Sequence, residues 1–180
     1  MNNFTFTNTL IIGASIITFL ALSLFPELYL FGINRFFYTT GEYHIWVTQF
    51  FSSQLLHGSI LHLAFNVVFV GYFGNAIERT LGYQKMFLFF ILTSIFLGVL
   101  ITFVSGVNTV GMSGFAMAIL AYYTLELYSV RHPDYQGGIT ALIVNIMIGF
   151  IPGISLLGHL GGAIFGVIFW FGYNYYKKYI

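Results

Sequence analysis

The chain has 180 residues, of which only 6% are charged while 58% are hydrophobic and 21% aromatic. No water-soluble domain of this length keeps that balance in solution, so the bilayer is the expected solvent. A net charge of +1 gives no sign of a nucleic-acid partner, and the absence of cysteine excludes disulfides, thiolate nucleophiles and cysteine-based metal sites.

A helix that crosses hydrocarbon needs about 20 mainly apolar residues. Six stretches approach this, roughly 8 to 25, 55 to 74, 86 to 104, 112 to 129, 138 to 154 and 157 to 176. The expectation is an all-α polytopic membrane protein with six transmembrane helices, forming one domain over residues 1–180 with no linker or soluble module. The first stretch has no basic n-region and no small-residue cleavage site before Phe25, so it reads as a retained helix rather than a signal peptide. The fifth is short and closes at Pro152. Between the first two stretches, Pro26 to Gln54 is rich in Phe and Tyr and carries Trp46. That segment is too mixed to cross. Aromatic rings with a polar tip favour the interface, so it is expected to lie on or dip into one leaflet.

Lys and Arg in the short loops set the orientation. With the N-terminus inside, Arg79, Lys85, Arg131, Lys177 and Lys178 are cytoplasmic and only Arg35 is outside, which favours cytoplasmic N- and C-termini. The same arrangement puts His57, Ser113 and His159 at the starts of spans two, four and six, all towards the outer side. Three separated polar residues at one depth point to one water-accessible site.

Polar side chains within apolar spans are functional candidates because burying them in hydrocarbon is costly. His62 and Asn66 are four apart, on one helical face a turn below His57; such a pair also serves as interhelical hydrogen-bonding glue. In Gly111-Met112-Ser113-Gly114 the flanking glycines leave the hydroxyl unobstructed, and a helix N-terminus offers free N–H groups to developing negative charge. Small-residue runs equally serve helix packing. His159, Gly162 and Gly166 share a face that admits a neighbouring backbone, and the Gly114 and Ala118 face of span four is the expected neighbour. That contact would bring the imidazole beside the Ser113 hydroxyl, where a neutral histidine can act as general base. Elimination narrows the chemistry further. Asp134 is the only aspartate, there is no HExxH, and Glu126 lies about 20 Å down the helix from Ser113, where it is expected to snorkel to the inner interface. What survives is a Ser-His dyad with His62 and Asn66 available as oxyanion donors, and no cofactor or metal.

Over residues 45 to 176 the chain resembles the rhomboid intramembrane serine proteases. His57-x4-His62-x3-Asn66, Gly74-x3-Glu78-x3-Gly82, Gly111-Met112-Ser113-Gly114 and His159-x2-Gly162-x3-Gly166 occur in the family's order. The resemblance implies that Ser113 is the nucleophile, His159 the general base, and His62, Asn66 and the Ser113 backbone N–H the oxyanion hole. It further implies that His57 lines the outer cavity and that Glu78 ties down the loop after span two. Two departures stand out. Thr48 and Gln49 replace a Trp-Arg pair that anchors the first loop in many bacterial members, and Met117 stands where a tyrosine often stacks on the catalytic histidine.

The resulting expectation is cleavage of single-pass membrane proteins in the bilayer, with the short six-span form suited to a bacterial inner membrane. Substrate helices would enter laterally, past span five and the Pro152 to Leu156 connection. Two other readings stay open. A transporter or channel would line a polar path with these residues, but only Asn145 and Glu126 continue it through the inner half. A non-catalytic scaffold that retains client helices would not need the Ser113 hydroxyl.

Overall fold

In a medium without water every backbone N–H and C=O must be satisfied within the chain, and helices do this segment by segment. The structure, a computed structural model, describes residues 5–179, so the outermost residues of the expected 1–180 domain lie outside it. Among the described residues it is all-helical, with one isolated β-bridge.

Helix α1 (Phe6–Ser23) starts at Thr5, whose hydroxyl accepts from the Asn8 N–H. A 3₁₀ turn (Pro26–Phe31), the single turn α2 (Phe36–Thr39) and α3 (Tyr43–Leu55) follow. Helix α4 (Ile60–Phe69), capped by Ser59, runs through a π stretch (Val70–Gly74) into α5 (Asn75–Leu81). Gly82 has φ +78°, a left-handed value that costs a glycine little, and there the chain turns into α6 (Tyr83–Leu100). After a second π stretch (Ile101–Ser105) come α7 (Ser113–Ser129), α8 (Tyr135–Ile148) and α9 (Leu156–Tyr179).

Four of these rods, Phe6–Ser23, Ile60–Leu81, Tyr83–Ser105 and Leu156–Tyr179, are long and apolar enough to cross a membrane. The boundaries differ from the expected spans. The second begins at Ile60 rather than near 55, which leaves His57 in the loop ahead of it. The fifth stretch, expected to reach 154, is helical only to Ile148. Past Ile148 the N–H groups of Gly149, Phe150 and Ile151 turn to carbonyls three residues back, and Pro152 has no N–H with which to resume the helix.

Helix α7 is the centre of the fold: Gly114 through Tyr122 is buried without a break, as befits a helix that is apolar all round. Around it Phe89, Phe115, Tyr122, Phe165 and Phe169 stack or meet edge to face. Outward-facing side chains such as Ile12, Phe19, Phe65, Val68 and Phe171 are exposed and apolar, a lipid-facing shell.

The closest helix pair is α7 and α9. A Cβ on Gly162 would overlap the Gly114 carbonyl, and one on Gly166 would overlap the Ala118 carbonyl, so both positions demand glycine for the backbones to touch. Glu78 does not tie down the loop after its own helix. Its carboxylate accepts from the Phe6 and Thr7 N–H groups and the Thr7 hydroxyl at 2.6–2.8 Å, capping the start of α1 from 71–72 residues away. Glu126 accepts from the Trp170 indole at 2.8 Å, a partner the snorkelling expectation did not include.

Candidate active site

Ser113 is the first residue of α7, and no side chain caps that helix start among the described residues. The extended segment that delivers it, residues 106–112, is fastened to the first loop. Ile33 and Thr109 exchange two backbone hydrogen bonds of 2.9 Å, the Gly111 N–H donates to the Ser53 carbonyl at 2.9 Å, and the Asn108 amide donates to the Tyr29 carbonyl at 3.1 Å. Gly111 has φ +115°, and a Cβ there would sit 2.7 Å from the His62 ring. Glycine is therefore required twice over, by its torsion and by the imidazole packed against it.

His57 is fully buried and is not among the cavity-lining residues, contrary to the expected role. Its Nε2 accepts from the Met112 N–H at 3.4 Å, and its Nδ1 lies 3.2 Å from the Thr18 hydroxyl, which donates to the Leu55 carbonyl. Since Nε2 accepts, Nδ1 carries the proton and donates to Thr18. Burial, and after it the neighbouring His62 ring, holds this imidazole down at about 3. His57 thus braces the backbone immediately before the serine.

A cavity of about 860 Å³ opens between α4 and α8, and Ser113, His159, His62 and Asn66 all line it. Asn66 spends one amide hydrogen on the His62 carbonyl at 2.9 Å, which leaves the other for the cavity. The Ser113 hydroxyl and the His159 ring share the wall without a hydrogen bond between them. Behind Ser113 a second void of about 10 Å³, room for one water, is bordered by Ser53 and Gln54. The Ser53 Oγ and Gln54 Oε1 atoms are buried there without a protein partner.

His159 has a partner that the sequence did not expose. Its Nδ1 lies 2.7 Å from the backbone carbonyl of Asn145, in the last turn of α8. A carbonyl only accepts, so Nδ1 carries the proton and Nε2 keeps its lone pair. No aromatic ring stacks on this imidazole among the described residues. Met117, at the position where a tyrosine was the familiar occupant, packs with Ala121 and Ala163 against Leu142 and Ile146 of α8. Asn145 itself lines the cavity, so it does not extend a polar path through the inner half. Among the described residues no cluster of three or more His, Asp or Glu is placed to hold a metal ion.

The first loop is anchored without the Trp-Arg pair. Gln49 is buried and donates to the Leu30 carbonyl, whereas Thr48 is exposed. Trp46 donates to the Thr102 hydroxyl at 3.0 Å, and Arg35 donates to the Thr102 and Phe103 carbonyls at 2.9 and 2.7 Å, where the π stretch leaves carbonyls free.

Residues 44–176 match a family model described as the Rhomboid domain. The chain is similar to Rhomboid protease GlpG of Haemophilus influenzae, with 32% identity over 142 residues that cover 74% of this chain and 72% of that relative. It is also similar to proteins of the same name from Pectobacterium atrosepticum, 30% identical over 137 residues, and Yersinia pseudotuberculosis, 30% identical over 145 residues. The matches cover 70% and 74% of this chain but only 49% and 51% of those two relatives, about half their length.

Proposed function

Because the chain belongs to the rhomboid family of membrane-embedded serine proteases, we propose that Ser113 and His159 form a catalytic dyad that cleaves transmembrane or juxtamembrane segments of single-pass proteins. The observation that carries this is the shared cavity between α4 and α8, which both residues line together with His62 and Asn66. The His159 tautomer supports the same reading, since Nε2 is the atom left free to take a proton.

A peptide still coiled as a helix keeps its carbonyls and N–H groups for itself, so a substrate must unwind before it can be cut. Ser113 Oγ attacks the exposed carbonyl carbon while His159 Nε2 takes the hydroxyl proton. The oxyanion that forms is held by donors from Asn66, His62 and the Ser113 N–H. His159 then returns the proton to the leaving amine, and water, deprotonated by the same nitrogen, releases the acyl group from Ser113. Losing one oxyanion donor of this kind typically costs roughly 100- to 1,000-fold in kcat.

The proposal includes six crossings, with α7 and α8 as the two short ones, both termini cytoplasmic, the first loop at the outer interface, and a bacterial inner membrane as the site. At 1.5 Å per residue, the 14 residues of α8 rise only about 21 Å against roughly 30 Å of hydrocarbon. That shortfall fits a helix that closes one side of a wet cavity.

The test is reconstitution of the protein in liposomes with a labelled single-pass substrate, with Ser113→Ala and His159→Ala beside it. Both substitutions are expected to abolish cleavage, and a fluorophosphonate is expected to label the unaltered protein but not Ser113→Ala. Cleavage that persists in Ser113→Ala overturns the dyad and returns the transporter and scaffold readings.

A further inference from the structure

We infer that the backbone carbonyl of Asn145 is the positioning group of the general base, so that the seating of α8 sets whether His159 is aligned for catalysis. The inference rests on the dyad proposed above and adds to it the element that orients the imidazole.

Four observations carry it. The contact is direct, with Nδ1 2.7 Å from the carbonyl oxygen. The carbonyl is available because α8 stops at Ile148, and its competing donor, the Gly149 N–H, lies at 3.3 Å and is shared with the Ile146 carbonyl at 3.0 Å. No carboxylate or ring takes the place of that contact, since Glu126 is engaged by Trp170 and Met117 packs beneath α8. Finally, glycines near the start of α8 and just past its end let it come this close. A Cβ on Gly138 would overlap the Thr124 hydroxyl, and one on Gly149 would sit 2.8 Å from Leu156 Cα and 2.9 Å from the Ile146 carbonyl.

The chemical consequence is specific. With Nδ1 donating to the carbonyl, the ring is held in one tautomer and one orientation, and Nε2 is the basic atom. When α8 tilts away the imidazole is free to rotate and to exchange tautomers, and the fraction competent to accept the Ser113 proton falls. Docking of α8 and activation of the base are then one event.

A backbone ester tests this directly. Installing the α-hydroxy acid analogue of isoleucine in place of Ile146 turns the 145–146 peptide into an ester and weakens the Asn145 carbonyl as an acceptor. The same monomer in place of Ile143, exposed on the same helix, also removes one helical N–H but weakens the Leu142 carbonyl instead. The ester at 146 is expected to lower both kcat for a membrane substrate and the rate of Ser113 labelling by a small fluorophosphonate, each roughly 3- to 10-fold, with KM unchanged. The ester at 143 is expected to leave both within about twofold. Gly149→Ala, which moves the end of α8 off Leu156, is expected to behave like the ester at 146. Equal effects from the two esters, or a rise in KM alone, overturn the positioning role. If instead Ser113→Ala or His159→Ala still cleaves, the dyad has failed rather than this inference.

Discussion

The two walls of the cavity are built differently. The wall that carries Ser113 is held by hydrogen bonds: the paired Ile33 and Thr109 backbones, Ser53 on Gly111, Tyr29 on Asn108 and His57 on Met112. The opposite wall, α8, has no fully buried residue and meets the rest of the protein mainly through apolar contacts, Leu142, Ile146, two glycines and the Tyr135 ring edge-on to Tyr128, with one hydrogen bond to His159. In lipid, apolar packing between helices gains nothing from leaving water, whereas an unmade hydrogen bond has no solvent to replace it. Ser113 therefore sits on the costly wall, and α8 is the one that yields at low cost. Local opening in a protein is drawn from such weakly held elements.

The sharpest way to break this contrast is to disturb the contact of α7 with α9, the helices that carry Ser113 and His159. Gly162→Val places a side chain where the Gly114 carbonyl lies, and neither backbone can turn aside. The two helices must separate by on the order of 1 Å, and a displacement of that size at a reacting pair costs about 100-fold in rate. Overpacking of this kind also costs about 1–3 kcal/mol in stability. A reconstituted cleavage assay and thermal unfolding in detergent would read both, and wild-type turnover would mean that this contact does not set the serine–histidine geometry.

On the fixed wall alone, His57→Leu leaves the Met112 N–H without its partner, while the Thr18 hydroxyl keeps its bond to the Leu55 carbonyl. A buried group left unsatisfied costs about 1–3 kcal/mol, so the melting temperature falls and turnover falls with it. The effect also depends on pH. His57 lies in the loop before α4, and its folded value near 3 is below the unfolded 6.5, so between these the unfolded chain binds more protons. Its contribution to stability is complete above about pH 6.5 and drains as pH falls towards 3, by up to about 1.4 kcal/mol per pH unit. His57→Leu is expected to flatten the fall in melting temperature between about pH 6.5 and 4. An unchanged slope would assign the acid sensitivity to another group.

What was legible in the sequence follows the same division. Ser113, His62, Asn66 and His159 are conspicuous because polar atoms in an apolar run carry a cost, and the 3 and 4 spacing of Gly162 and Gly166 pointed to a close helix contact. The Asn145 carbonyl was not legible, since every residue has one and only the end of α8 frees it. The resemblance implied that His57 lines the cavity, yet Ser59 starts α4 after it and leaves it in the loop, folded inward on Thr18 and Met112. Glu78 and Arg35 each find backbone partners some 70 residues away, a pairing that no local pattern encodes.

The smallest expected effect probes the yielding wall without touching the site. Gly137 lies in the first turn of α8, exposed, with nothing within 4 Å of where a Cβ would stand. Gly137→Ala restricts the unfolded chain and favours the helix, which stabilises by roughly 0.4–1 kcal/mol. On the proposed function, substrate entry that unwinds the first turn of α8 is opposed by that free energy, so kcat/KM for a single-pass substrate is expected to fall about two- to fivefold, converted at 1.4 kcal/mol per tenfold. A small fluorophosphonate needs no such opening, and its labelling of Ser113 is expected to stay unchanged. A parallel loss of labelling would mean that the start of α8 also shapes the site. An unchanged kcat/KM alongside a raised melting temperature would mean that substrate enters elsewhere.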